Sequence, residues 1–89
     1  PNLPEAFCQR ALARYANGEV ESAIEDCEKA LSLNVFEYMA VVGLGQCYLE
    51  LEQPRLALDY FKQAIAIYPD LEPVHVQIRK LEDSLREIG

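Results

Sequence analysis

The chain contains no tryptophan and no threonine, a single histidine, and 8 lysines and arginines against 15 acidic residues. Each shortage narrows what the protein can do. A formal charge of −7 repels phosphate backbones and argues against a nucleic-acid partner. With few cations there is no basic face to draw the chain onto an anionic membrane. The longest nearly apolar run, Tyr38–Gly45, is far too short to span a bilayer. No C-x-x-C pair joins the three cysteines, Cys8, Cys27 and Cys47. Each falls inside a helical pattern among apolar or small residues, so they read as reduced, buried thiols. That usage favours a reducing compartment and a cytoplasmic location. No signal peptide is visible. The chain opens at Pro1 without methionine and so reads as an excised fragment, whose targeting signals could lie elsewhere.

Catalytic and cofactor chemistry finds no support. His75 has no acid or nucleophile partner in sequence and reads as an ordinary residue on the edge of a helix. Ser22, Ser32 and Ser84 lack a nucleophile-elbow motif. One histidine and three scattered cysteines give no zinc spacing, and Gly43-Leu44-Gly45 lies inside a helical pattern, not in a phosphate-cradling loop. The expectation is a non-enzyme with no cofactor and no metal.

What is present is helical. Apolar residues make up 51% of one domain-sized chain, rich in alanine and leucine. The apolar spacing predicts an all-α fold of five antiparallel helices at about 5–16, 19–33, 35–51, 54–67 and 71–88. Asn2 with Glu5 forms a capping pattern for the first helix, and Asn17-Gly18 its end. In the second, Val20, Ala23, Ile24, Cys27, Ala30 and Leu31 form one stripe. Glu21, Glu25, Asp26, Glu28 and Lys29 take the opposite, polar face, with Glu25 and Lys29 spaced to pair. Asn34 with Glu37 repeats the capping pattern. The third helix is apolar around most of its circumference, which predicts a central position. Gly43 and Gly45 each cost about 1 kcal/mol of helix propensity, as expected where another helix passes close. Glu52-Gln53 makes a tight connection, and Pro54 opens the fourth helix. Asp70 can cap the fifth, whose stripe is Val74, Ile78, Leu81, Leu85 and Ile88. That stripe fits a cap packed on the fourth helix, and Ile78, Leu81, Leu85 and Ile88 within it, stepping by 3, 4 and 3, also fit a short intermolecular coiled-coil seam.

The two hairpins repeat at an offset of 34. Ala11 pairs with Gly45, Ala23 with Ala57, Cys27 with Phe61, Ala30 with Ala64 and Leu31 with Ile65. Small positions stay small because helices of a hairpin approach closely there. A period of this length is the signature of a helical solenoid. On these residues the chain resembles the tetratricopeptide repeat family. The second unit carries Leu44, Gly45, Tyr48, Ala57, Phe61, Ala64 and Pro69 at signature positions, with Val41 where tryptophan is usual. The first is degenerate, with Arg10 and Arg14 at the usual leucine and tyrosine places and Val35 for the closing proline. The expected organisation is repeat 1 at 4–37, repeat 2 at 38–71 and a C-terminal capping helix at 72–89, in a right-handed α-α superhelix. Arg10 and Arg14 are expected to extend into water along an open flank of the first helix; alternatively, preceding repeats would cover that flank.

The resemblance implies a non-catalytic scaffold that binds a protein or peptide in a concave groove lined by the first helix of each hairpin. The groove residues by repeat position are Glu5, Cys8, Leu12 and Tyr15, then Met39, Val42, Gly43, Gln46 and Leu49, with Val76 and Lys80 added by the last helix. Binding is expected at Cys8, Leu12, Tyr15, Met39, Val42 and Leu49, with Gln46 orienting a backbone amide. Family members that grip a C-terminal carboxylate use a clamp of lysine, asparagine and arginine. Its places hold Cys8, Leu12, Gly43, Pro73 and Gln77, so the clamp is absent and an EEVD-type ligand is disfavoured. An apolar groove suits an amphipathic helix, a hydrophobic peptide or a second copy of the domain. Two alternatives stand beside partner binding. In one, the domain self-associates into a homo-oligomer or forms a segment of a longer array. In the other, Leu12, Val42 and Leu49 are internal packing between hairpins.

Overall fold

A computed structural model describes residues 3–88. Asn2, with the cap expected of it, and Gly89 lie outside the described residues. Five helices follow one another: α1 Pro4–Ala16, α2 Val20–Leu33, α3 Tyr38–Glu50, α4 Pro54–Ile67 and α5 Glu72–Ile88. Short connections force each to run antiparallel to the one before. α1 pairs with α2, α3 with α4, and α5 packs on α4, while α1 and α3 lie side by side. The resulting body measures 43 × 27 × 18 Å.

The two hairpin turns share one backbone solution. Gly18 has φ +82°; its N–H donates to Tyr15 O at 3.0 Å, and Glu19 N–H donates to Arg14 O at 2.8 Å. Thirty-four residues on, Glu52 has φ +58°. Its N–H donates to Leu49 O at 3.0 Å, and Gln53 N–H donates to Tyr48 O at 2.9 Å. Both are Schellman caps with a left-handed residue after the helix end. Only the first uses glycine there.

Asn34 does not cap α3, which begins at Tyr38 rather than 35. Its side-chain oxygen accepts from Phe36 N–H at 3.0 Å, and its carbonyl accepts from Glu37 N–H at 3.1 Å. Asn34 therefore spends its acceptors on an Asx turn, and three residues of loop precede the helix. At the start of α5 the place before the helix falls to Leu71, whose carbonyl oxygen accepts from Val74 and His75 N–H at 3.0 Å. His75 Nε2 donates to Pro69 O at 2.7 Å, so the single histidine closes this turn.

Two apolar clusters hold the helices. One joins Ala11 of α1 and Val20, Ala23, Cys27 and Ala30 of α2 to Ala40, Leu44 and Cys47 of α3. The other joins Ala57 and Phe61 of α4 to Val74, Ile78 and Leu81 of α5. α3 sits between neighbours on both sides, as its apolar circumference predicted. A Cβ on Gly43 would come within 2.8 Å of Cys27 Sγ of α2, and one on Gly45 within 2.7 Å of the Phe61 ring of α4. Val74, Ile78 and Leu81 of the α5 stripe pack on α4.

The flank of α1 departs from expectation. Asp26, assigned to the polar face of α2, is fully buried. Arg10 holds it with two bonds, Nε to Oδ2 at 2.9 Å and Nη2 to Oδ1 at 2.8 Å, and Arg14 Nη1 adds a third to Oδ2 at 3.1 Å. The arginines thus turn toward α2 instead of simply extending into water. Lys29, expected to pair with Glu25, stands 5.8 Å from the centre of the Phe7 ring, which also has Arg10 at 5.4 Å.

Candidate functional site

The side-by-side placement of α1 and α3 opens a groove between them. Its walls are the faces that neither helix spends on its hairpin partner. Leu12 is 70% exposed and Met39 52% exposed, and both line a cavity of about 700 Å³ with Cys8, Tyr15, Val42 and Gln46. Six of the seven residues expected to bind a partner therefore share one concave surface. Glu5 and Gly43, named with them, line it too.

Leu49 does not line this cavity. It packs, half-buried, against the cluster of α4 and α5. The reason lies in the repeat: Leu49 is the equivalent of Tyr15, and each faces the next hairpin's leading helix. For Tyr15 that helix is α3; for Leu49 it is α5. Val42 lies on both surfaces, lining the cavity and touching the α5 cluster. Val76 and Lys80 of α5 are not among the lining residues.

Sequence reasoning missed the floor, which Ala11, Ala23, Cys27 and Cys47 provide. In the second repeat Phe61 fills the space inside the hairpin and is fully buried. Cys27 stands at its equivalent place and is much smaller. The offset pairing of Cys27 with Phe61 carries that signal: a volume deficit in the first hairpin becomes depth in the groove.

The thiols on this surface are proton-bound. Burial pushes Cys27 up to about 12, with smaller contributions from Cys47 and Cys8. Burial, then the charges of Glu37 and Glu5, push Cys8 up to about 11. Burial also raises Cys47. A neutral thiol is a weak nucleophile, so these groups act as small apolar surface. Glu5 and Glu37 both reach Cys8 with their charges, so two carboxylates stand at the end where α1 and α3 begin. At the other end Tyr15 Oη donates to Glu50 Oε1 at 3.4 Å. Burial and then the Glu50 charge raise the Tyr15 phenol.

Among the described residues, no three His, Cys, Asp or Glu side chains are grouped to hold a metal ion. None of the helices described is long and apolar enough to cross a membrane.

A family model described as tetratricopeptide repeat matches residues 4–34 and 41–71. No curated protein matches the sequence. Among solved structures, the crystal structure of MamA superposes with a TM-score of 0.88 at 22% identity, covering 93% of this chain and 48% of MamA. The chain thus spans about half the length of that protein, and the likeness is one of fold. Repeats of this kind are generally non-catalytic protein–protein interaction modules. With well over half of its length in the two matched stretches and both hairpins folded as such repeats, the chain belongs to the tetratricopeptide repeat family.

Proposed function

We propose that this chain is a non-catalytic interaction module that takes a peptide or helix of a protein partner in the apolar groove between α1 and α3, without a carboxylate clamp. The observation that carries the reading is the groove itself. Its volume of about 700 Å³ falls within the size of specific binding pockets, and large apolar side chains stand exposed on its rim. Covering Leu12 and Met39 supplies the driving force, at roughly 25 cal/mol per Å² of apolar surface removed from water. Gln46 orients a polar group of the partner.

The test replaces Leu12 and Met39 with glutamine. Both are exposed, so Leu12→Gln/Met39→Gln is expected to unfold at the wild-type temperature and to lose the partners that the wild-type chain captures. Unchanged capture by a folded variant contradicts the groove assignment.

A second reading, self-association, is favoured by one surface. The helix ends at which α1, α3 and α5 start form one edge. Leu33, Val35, Phe36 and Tyr68 are exposed there, and the Tyr38 and Tyr68 rings lie 4.9 Å apart. Sedimentation across a concentration range tests this; a monomer throughout rules against it. The three thiols suit a cytoplasmic setting, which cell fractionation tests.

A further inference from the structure

The groove has a chemistry that selects among occupants, a property that rests on its being the binding face proposed for the chain. Its charged lining residues, among those described, are Glu5 and Glu37. Both lie at one end, beside Cys8. The two carboxylates favour a positive group over a negative one seated there.

The walls also discriminate between backbone conformations. Beyond their first turns, the backbone donors of α1 and α3 along the groove are spent within their own helices. An extended peptide lying on Leu12, Met39 and Val42 would bury N–H and C=O groups, with Gln9 and Gln46 along the walls and Glu5, Glu37 and Tyr15 toward the ends to meet them. Each unpaired group costs about 1–3 kcal/mol. A helix brings its backbone already bonded and presents side chains alone. The small residues Ala11, Ala23 and Gly43 at the bottom leave room for a large apolar side chain.

We propose that the occupant is a basic amphipathic helix of a partner protein, its apolar stripe seated over the cavity between α1 and α3 and a lysine or arginine on its flank set between Glu5 and Glu37.

The test uses labelled synthetic peptides of about 18 residues, about 27 Å long as helices, read by fluorescence anisotropy with the whole chain at physiological ionic strength. One has leucines at i, i+3, i+4 and i+7 and lysine elsewhere. Others replace lysine with glutamine or with glutamate, and a fourth interrupts the leucine–lysine helix with two prolines. The leucine–lysine helix is expected to bind best. The glutamine version should be roughly three- to tenfold weaker, the glutamate version weaker again, and the proline version should lose binding. Glu5→Gln/Glu37→Gln should erase the preference for lysine over glutamine. Glu21→Gln/Glu25→Gln, the same charge change on the exposed face of α2, should preserve it.

Several results overturn the proposal: no binding by the leucine–lysine helix, equal binding by the proline peptide, or a lysine preference that ignores Glu5 and Glu37 or falls equally with Glu21 and Glu25. Leu12→Gln/Met39→Gln separates this failure from that of the groove itself. If it weakens all helical peptides while charge has no effect, the groove stands and the basic helix falls. If it leaves the leucine–lysine peptide bound as before, the groove reading fails.

Discussion

At the scale of single residues, the two repeats solve the same contact in different ways. Arg10, Arg14 and Asp26 occupy the places of Leu44, Tyr48 and Tyr60. In the second repeat Leu44 is buried, and the Tyr48 and Tyr60 rings stack at 5.5 Å with planes 8° apart. In the first, one carboxylate takes three bonds from two guanidinium groups. The Arg10 hydrogen bonds hold Asp26 below its usual range against the opposing effect of burial, and Arg14 adds to them. Removing the carboxylate leaves two cations facing each other. Asp26→Ala is expected to lose about 3 kcal/mol, measured by urea unfolding, at the lower end for broken buried pairs because both arginines are partly hydrated. A depressed folded value gives stability that is present above the unfolded value near 3.8 and lost as pH falls through the folded one. The gap between variant and wild type should therefore hold at neutral pH and narrow in acid below about pH 4. Installing Leu, Tyr and Tyr at positions 10, 14 and 26 together should restore or exceed wild-type stability, since packed apolar groups often outperform buried ion pairs. A second residue carries a local cost. Glu52 adopts the left-handed conformation at φ +58° that Gly18 adopts in the first repeat. Glu52→Gly should raise stability by about 1 kcal/mol, a gain of roughly 4–8 °C in melting temperature for a chain of this size. No gain would mean that the Glu52 side chain offsets the strain.

At the scale of elements, glycine spacing on α3 sets how closely its neighbours approach. The Phe61 ring is fully buried and lies where a Cβ on Gly45 would come within 2.7–2.9 Å of three ring atoms. A locked ring cannot give way cheaply. Gly45→Ala should destabilise by about 1–2 kcal/mol: overpacking costs about 1–3 kcal/mol, and the gain in helix propensity offsets part of it. Thermal unfolding of Gly45→Ala beside an alanine at an exposed helical position checks this. A stabilised Gly45→Ala would contradict the close crossing. These close approaches, like the five helices, were legible in the sequence because period and residue size speak directly for them. The triad was not. Asp26 falls on the polar arc of α2 by spacing alone, and helical periodicity does not say when a polar residue has found a buried partner. The signal lay in the offset: three polar replacements, opposite in charge, at positions whose equivalents touch. Asn34 misled for a related reason. Its side chain serves a turn as readily as a cap, and only the backbone path between α2 and α3 decides.

At the scale of the whole molecule, stacking leaves α1 and α3 with free inner faces, and the weak first repeat shapes what lies between them. Cys27 in place of a large ring, with Gly43 opposite it, turns missing volume into depth. Leu12, Met39, Val42 and Gln46 were legible as groove residues because the repeat fixes which face of each leading helix points inward. Leu49 was not, since the same rule points it at α5, which covers it. The most direct measurement is a titration of the isotope-labelled chain with the leucine–lysine helix, followed residue by residue in amide NMR spectra. The groove account predicts shifts concentrated on Cys8, Leu12, Tyr15, Met39, Val42 and Gln46, with the outer faces of α2 and α4 unmoved. Shifts concentrated on those outer faces, or on the edge carrying Val35, Phe36 and Tyr68, would contradict it.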